Sequence, residues 1–198
     1  MSAHEDLEHA EHVEHAAHSN KKIALLIAVL ALFLAFSETL GKSSQTAAIT
    51  YNVTSNDLWT FFQAKTIRMA VLTTAAEQMQ IEAERATDPA VKARLDKTID
   101  TWKKTVARYD DEPASHEGRK QLSERAKEAE EKRELAMARY HNYEFASAAF
   151  QIGIVLASAQ VITGMVVLGW LSGLLGVLGL AFTGIGLWAP EAVHYLVH

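Results

Sequence analysis

Apolar residues recur along most of this chain at alternating steps of four and three, the 3.5-residue period of helices that pack along one seam. One such series runs Leu58, Phe62, Lys65, Met69, Leu72, Ala76, Met79, Ala83, and the same phase carried backward meets Ile23, Ile27, Leu30 and Leu34. No proline falls between Lys21 and Ala86, so one long helix is allowed. The stretch Thr50–Asp57, poor in helix formers and rich in capping types, is the place where it would break. Thr87-Asp88-Pro89 reads as an N-cap with proline in the first turn, opening a second helix with Val91, Leu95, Thr98, Trp102, Val106 and Tyr109 on its seam. The run Asp110–Ser115, with Pro113, stops that helix. A third begins near Glu117 or Gly118 and carries Leu122, Ala126, Ala129, Arg133, Ala136, Tyr140 and Tyr143 in phase. The phase continues through Ser147, Phe150, Ile154, Ala157 and Val161, so one helix of about 50 residues passes unbroken into an apolar region.

That region, Phe145–Ala189, contains no Asp, Glu, Lys or Arg. Gly169-Trp170-Leu171-Ser172-Gly173 divides it into Phe145–Leu168 and Leu171–Ala189, which reach ~36 Å and ~28 Å as helices against a hydrocarbon core of about 30 Å. Only a hydrogen-bonded helix satisfies the backbone in lipid, which predicts a transmembrane hairpin turning at Gly169–Gly173, with Trp170 and Trp188 at the interfaces. Ile23–Leu40, directly behind Lys21-Lys22, spans ~27 Å and reads as another crossing. The expected fold is all-α: three transmembrane helices with a long extramembrane antiparallel coiled-coil-like helical rod. In chain order this gives a His/Glu-rich tail (1–20), a first span (21–41), the rod (42–144), the hairpin (145–189) and a short tail (190–198). Residues 41–86 match 89–110 and 117–144 laid end to end, at roughly 70–75 Å each, which favours two descending helices in series over a compact three-helix bundle.

Residue size picks out faces within the spans. Ala149, Gly153 and Ala157 step by four on the second span, and Gly169, Gly173, Gly176 and Gly184 fall near one face of the third, with Leu180 filling the gap. Small residues at such spacing let transmembrane backbones approach, against a third helix or a neighbouring subunit. Polar residues inside the spans are Glu38, Gln151, Gln160, Thr163 and Thr183. Glu38 is the one acid among them, and Lys42 lies four residues on, so an interfacial ion pair is favoured over a proton relay. Gln151 and Ser158 share a face from which Gln160 is offset, so the polar residues form no continuous stripe.

Composition narrows the function classes. The net charge is −5; residues 1–20 hold five acids and no Lys or Arg, and all 19 basic residues fall within 21–144 among nearly as many acids. No basic patch calls for nucleic acid. Absence of cysteine excludes disulfides, thiolate metal sites and thiol catalysis. In the tail MSAHEDLEHAEHVEHAAHSN, His9, His12, His15 and His18 step by three, so neighbouring pairs can share a divalent metal, held loosely for want of fixed supporting groups. No Ser/His/Asp set, phosphate loop or HExxH motif is present, and the expectation is a non-enzyme without a cofactor. Lys42, Lys132, Arg133 and Arg139 outnumber Lys21 and Lys22 near the membrane, which tilts the rod toward the cytoplasm. The leading expectation is an oligomeric scaffold or accessory subunit of a larger membrane complex, with the lipid bilayer and further copies of itself as partners. A transport or proton-conducting subunit is the alternative, and a metal-responsive protein using the His-rich tail is a third.

The tail MSAHEDLEHAEHVEHAAHSNKK, the first span ending FSETLGKSS, the stretch NDLWTFFQAKTIRM and the closing Gly-rich hairpin together resemble the bacterial membrane family catalogued as domain-of-unknown-function family 4337. The resemblance implies a multi-pass protein of the bacterial inner membrane with three spans, and it carries no activity and no site residues. The order of parts is also similar to the proton-driven stator subunits of the motor and TonB systems, whose channel threonines would correspond in kind to Thr163 and Thr183. That likeness is one of architecture alone.

Overall fold

The computed structural model describes the backbone from Ala3 to Ala192 and the side chains from Lys21 to Ala192. Four helices make up the described chain: α1 (Ala3–Arg85), α2 (Pro89–Asp110), α3 (Arg119–Thr163) and α4 (Val166–Trp188). Three of them, α1, α3 and α4, are long and apolar enough to cross a membrane. The Thr50–Asp57 stretch does not interrupt α1. Its threonines and their neighbours bond within the helix instead: Thr46, Thr54 and Thr60 donate their hydroxyls to the carbonyls of Lys42, Thr50 and Asn56 at 2.8–2.9 Å. A hydroxyl satisfied four residues back does not compete for a cap. The chain divides into two compact units, Met1–Ala48 with Glu134–His198 and Ile49–Arg133, so α1 and α3 each contribute to both.

In the unit Ile49–Arg133, successive stretches of α1 meet first the start of α3 and then α2. Ala76 and Ala83 are buried with Ile99, and Met79, Leu95 and Trp102 pack around them. Lys103 Nζ reaches Gln80 Oε1 at 3.4 Å, one layer further along. Beyond the end of α2, the Arg119 guanidinium lies 5.7 Å over the Phe62 ring, and Glu130 accepts from Trp59 Nε1 at 2.7 Å. Asp88 caps α2 through Ala90 N at 2.8 Å, with Pro89 in the first turn. The α2 seam needs one correction: Ile99 is the buried residue, Thr98 is only half-buried, and Val91 is exposed. Leu95–Ile99–Trp102 also steps by four and three, and the larger apolar side chain takes the covered position while the Thr98 hydroxyl bonds Arg94 O.

In the other unit, α3 runs antiparallel to the Ile23–Ala48 stretch of α1, and α4 runs back along α3 and so parallel to that stretch. Leu30, Ala146 and Phe150 form the buried centre, with Leu26, Phe33, Leu34, Ile154 and Phe182 around them. The Phe33 and Phe150 rings stack at 6.0 Å. The turn between α3 and α4 is not at Gly169–Gly173 but at Gly164-Met165, and Gly169–Gly173 lies within α4. Gly164 takes φ +72°, a left-handed conformation that a residue without a Cβ adopts at little cost. Its N–H donates to Gln160 O at 2.9 Å, and Met165 N donates to Thr163 Oγ1 at 3.3 Å. Nothing forces Gly169 or Gly173 out of helical geometry, so the apolar run simply continues through them. Trp170 and Trp188 stand 78% and 85% exposed, roughly 27 Å apart along α4.

The packing face of α4 also differs from expectation. Ser172, Gly176, Gly179 and Gly186 are buried. Gly173 has open space where a Cβ would stand, Gly184 faces only Trp188 of its own helix, and Leu180 is 43% exposed. The residues that decide the face are the large ones opposite. Leu30 fills the space at Gly176, the Phe150 ring that at Gly179, and the Tyr143 ring that at Gly186. Gly153 and Ala157 keep their expected places: both are buried, and Gly153 faces Leu30 and Ser172. A Cβ on Gly179 would sit 2.7 Å from Phe150 Cε1. Gly179→Ala is therefore expected to destabilise the helix packing by about 1–3 kcal/mol. Gly173→Ala should be neutral or slightly stabilising, because alanine is the better helix former. Thermal unfolding in detergent of the two variants checks this; equal behaviour would place both glycines on the same kind of surface.

Candidate functional site

The polar groups among the apolar helices separate into inward and outward sets. Ser37 and Glu38 are neighbours on α1, about 100° apart around the helix, so one turns in and the other out. Ser37 is fully buried, and its Oγ lies 3.0 Å from Thr183 Oγ1. Thr183 donates its own proton to Gly179 O at 2.9 Å, which leaves Ser37 as the donor between them. Ser172 Oγ donates to Gly153 O at 2.7 Å. Asn142 Nδ2 donates to Ala138 O and to Pro190 O, both at 2.9 Å, tying α3 to the chain just after α4. Sequence spacing gave no sign of Ser37, Ser172 or Asn142 as linking residues, since their partners lie far away along the chain.

Glu38 is exposed, and its partner is not the expected one. Among the described residues no ion pair joins it to Lys42; its Oε1 accepts from Gln151 Nε2 at 3.4 Å. Helical side chains lean toward their own N-terminus, so Glu38 reaches back along α1 while Gln151, on the antiparallel α3, reaches up to meet it. Gln160 is buried against Gly169, and its Oε1 has no hydrogen-bond partner within the protein. Thr163 donates to Ala159 O at 2.9 Å and supports the turn. The five intramembrane candidates thus do not converge. Glu38 and Gln151 pair on the outside, Thr183 bonds inward, and Gln160 and Thr163 stand at the turn.

The unit Ile49–Arg133 holds a buried cation on the α1 seam, whose partners the spacing of the series does not reveal. Lys65 is 4% exposed, with Nζ 5.1 Å from the Phe61 ring centre, 5.5 Å from that of Tyr109 and 3.7 Å from Glu112 Oε2. Its long stem fills a seam position while two ring faces and a carboxylate take the charge. Nearby, the turn into α3 is held by Asp111, whose Oδ1 accepts from Gln121 Nε2 at 2.7 Å. That bond and the Lys120 ammonium hold the Asp111 carboxyl below its usual range. These are positioning contacts, with no nucleophile and base set in reach of each other. Among the described residues, no group of three or more His, Cys, Asp or Glu side chains is placed to hold a metal ion. His9, His12, His15 and His18 lie outside the described side chains.

The geometry defines an all-helical protein with three candidate membrane spans, in which large side chains of α1 and α3 seat at glycines of α4. A family model for a domain of unknown function (DUF4337) matches residues 19–189, and the chain belongs to that family. Comparison with curated proteins and with solved structures gives no match.

The Lys65 site yields a test of its own. Breaking a buried ion pair costs most when the group left behind is buried. Glu112, partly solvated and 3.9 Å from Arg108 Nε, keeps other partners if Lys65 is lost, whereas Lys65 without Glu112 stays buried. Lys65→Met should leave unfolding unchanged or shift it upward. Glu112→Ala, which strands the cation, should cost on the order of 1–3 kcal/mol, reduced because Glu112 is itself partly solvated. Denaturant titration followed by the fluorescence of Trp59 and Trp102 reads both, and a large loss in Lys65→Met would contradict this account.

Proposed function

We propose that the protein is a non-enzymatic integral membrane protein of the bacterial inner membrane, acting as an oligomeric scaffold or accessory subunit of a larger complex. The observation that carries this reading is the use of polar groups in the unit that contains α4. Ser37, Thr183, Ser172 and Asn142 all bond helix to helix or helix to chain, which is the chemistry of assembly. Apolar side chains such as Leu25, Leu32, Phe36, Ile152 and Leu174 point outward, as helices in lipid require. The exposed tryptophans at the two ends of α4 suit the two interfaces of one bilayer. Residues 42–144 form an antiparallel helical rod outside the membrane, supported by the succession of α3 and α2 along α1, and the charge count near the spans favours its cytoplasmic placement. The bilayer and further copies of the chain are its partners. A proton-conducting role draws on one specific observation, the exposed Glu38 carboxylate within the first candidate span.

Native mass spectrometry of the protein extracted in mild detergent, after carbonate washing of membranes, tests the leading reading. The protein should stay with the washed membrane and appear as more than one copy. A monomer in both detergent and nanodiscs would remove the scaffold role. Removing residues 1–19 is expected to leave insertion and copy number unchanged, and a stoichiometric micromolar Zn²⁺ site lost on His9/His12/His15→Ala would instead favour the metal-responsive role.

A further inference from the structure

Glu38 and Gln151 present a carboxylate and an amide on the outward surface of two candidate spans, where an acyl chain offers neither donor nor acceptor. Their mutual bond is long, at 3.4 Å, and uses one carboxylate oxygen and one amide hydrogen. The second carboxylate oxygen, the amide carbonyl and the other amide hydrogen still require partners. Lys42, one turn beyond Glu38, adds an exposed cation to the same side of α1. The surface around this trio differs from the adjacent outward side of α1. Ala28, Ala31 and Ala35 continue it in the same helical phase, and all are exposed, whereas the neighbouring outward side carries Leu25, Leu32 and Phe36. Large side chains suit lipid, while a low surface bearing hydrogen-bonding groups suits another backbone.

We infer that this face, centred on Glu38 and Gln151, is where a second copy of the chain docks within the bilayer. The inference rests on the membrane reading above and adds the surface by which copies meet. Charge and hydrogen-bond complementarity single out a second copy as the occupant. Copies inserted with one topology meet at equal depth, so a two-fold axis along the membrane normal sets Glu38 and Gln151 against the same pair in the partner. Each carboxylate then finds amide and ammonium donors across the axis, and each amide finds an acceptor. A carboxylate facing carboxylates alone would repel; here acid, amide and lysine lie within one turn or two, so the face complements itself. The alanines let the two α1 backbones approach closely enough for these side chains to meet.

The cysteine-free chain makes the test direct. Single variants Ala31→Cys and Ala35→Cys, in native membranes with copper phenanthroline as oxidant, are expected to form a covalent dimer. Leu32→Cys and Leu174→Cys, on exposed apolar surface elsewhere, are not. Introducing Glu38→Leu with Gln151→Leu into the Ala35→Cys chain should lower the cross-linked fraction about tenfold while membrane insertion is kept. Dimer formation only through position 32 or 174 would overturn the inference and leave the scaffold reading standing. The same holds if native mass spectrometry finds several copies but neither alanine position cross-links, or if they cross-link to a different protein. A single copy by mass spectrometry together with no cross-link would end both.

Discussion

Entry of the Leu30, Phe150 and Tyr143 side chains into the notches at Gly176, Gly179 and Gly186 is the contact on which the α1–α3–α4 unit depends. In lipid the burial of apolar surface brings little gain, because the surroundings are as apolar as the side chains. What remains is van der Waals fit and the hydrogen bonds that lipid cannot make. Leu30, Phe150 and Tyr143 each enter a space that exists only because the facing residue of α4 has no side chain. That fit in turn brings Ser37 to Thr183 and Ser172 to Gly153, at distances that a single methyl group between the helices would lengthen. The glycine content of α4 follows from the size of the residues opposite it.

The same helical phase runs on into the other unit. Along α1 the covered positions of the first unit are small beyond Leu34: Ser37, Gly41 and Ala48 are buried. Past Ser55 the seam carries Leu58, Phe62, Met69 and Leu72 before the small, buried Ala76 and Ala83. One 3.5-residue period thus runs through both units, with large and small residues on the covered seam of each. Lys65 lies on the seam of the second unit, where a charged group is tolerable because Glu112 and two ring faces are gathered around it.

Much of this was legible in the sequence, for a physical reason. Helix extent and phase follow from periodicity, and the Asp88-Pro89 start of α2 follows from local capping chemistry, so both could be read without a partner in view. Contacts between distant segments could not. A glycine inside a helix and a glycine in a turn look alike along a chain, and Gly164, with one neighbour supporting it, was hidden beside the richer Gly169–Gly173 cluster. Small size alone places Gly173 and Gly184 on the packing face, while the deciding side chains, Phe150 and Tyr143, lie on another helix. Nearness in sequence pairs Glu38 with Lys42; Gln151 lies 113 positions away and comes close only through the antiparallel course of α3.

The placement of α3 and then α2 along one uninterrupted α1 also fixes how this arrangement can change in length. A single added residue in α1 would rotate everything beyond it by about 100° and turn the covered seam to solvent. Two turns, seven residues, restore the face and lengthen the helix by about 10 Å, and the opposing side must gain the same amount in α2 or α3. Growth is therefore quantised and two-sided. The segment behaves as a ruler graduated in heptads, and the Asp111–Gly118 joint between α2 and α3 can slide along α1 only from one graduation to the next.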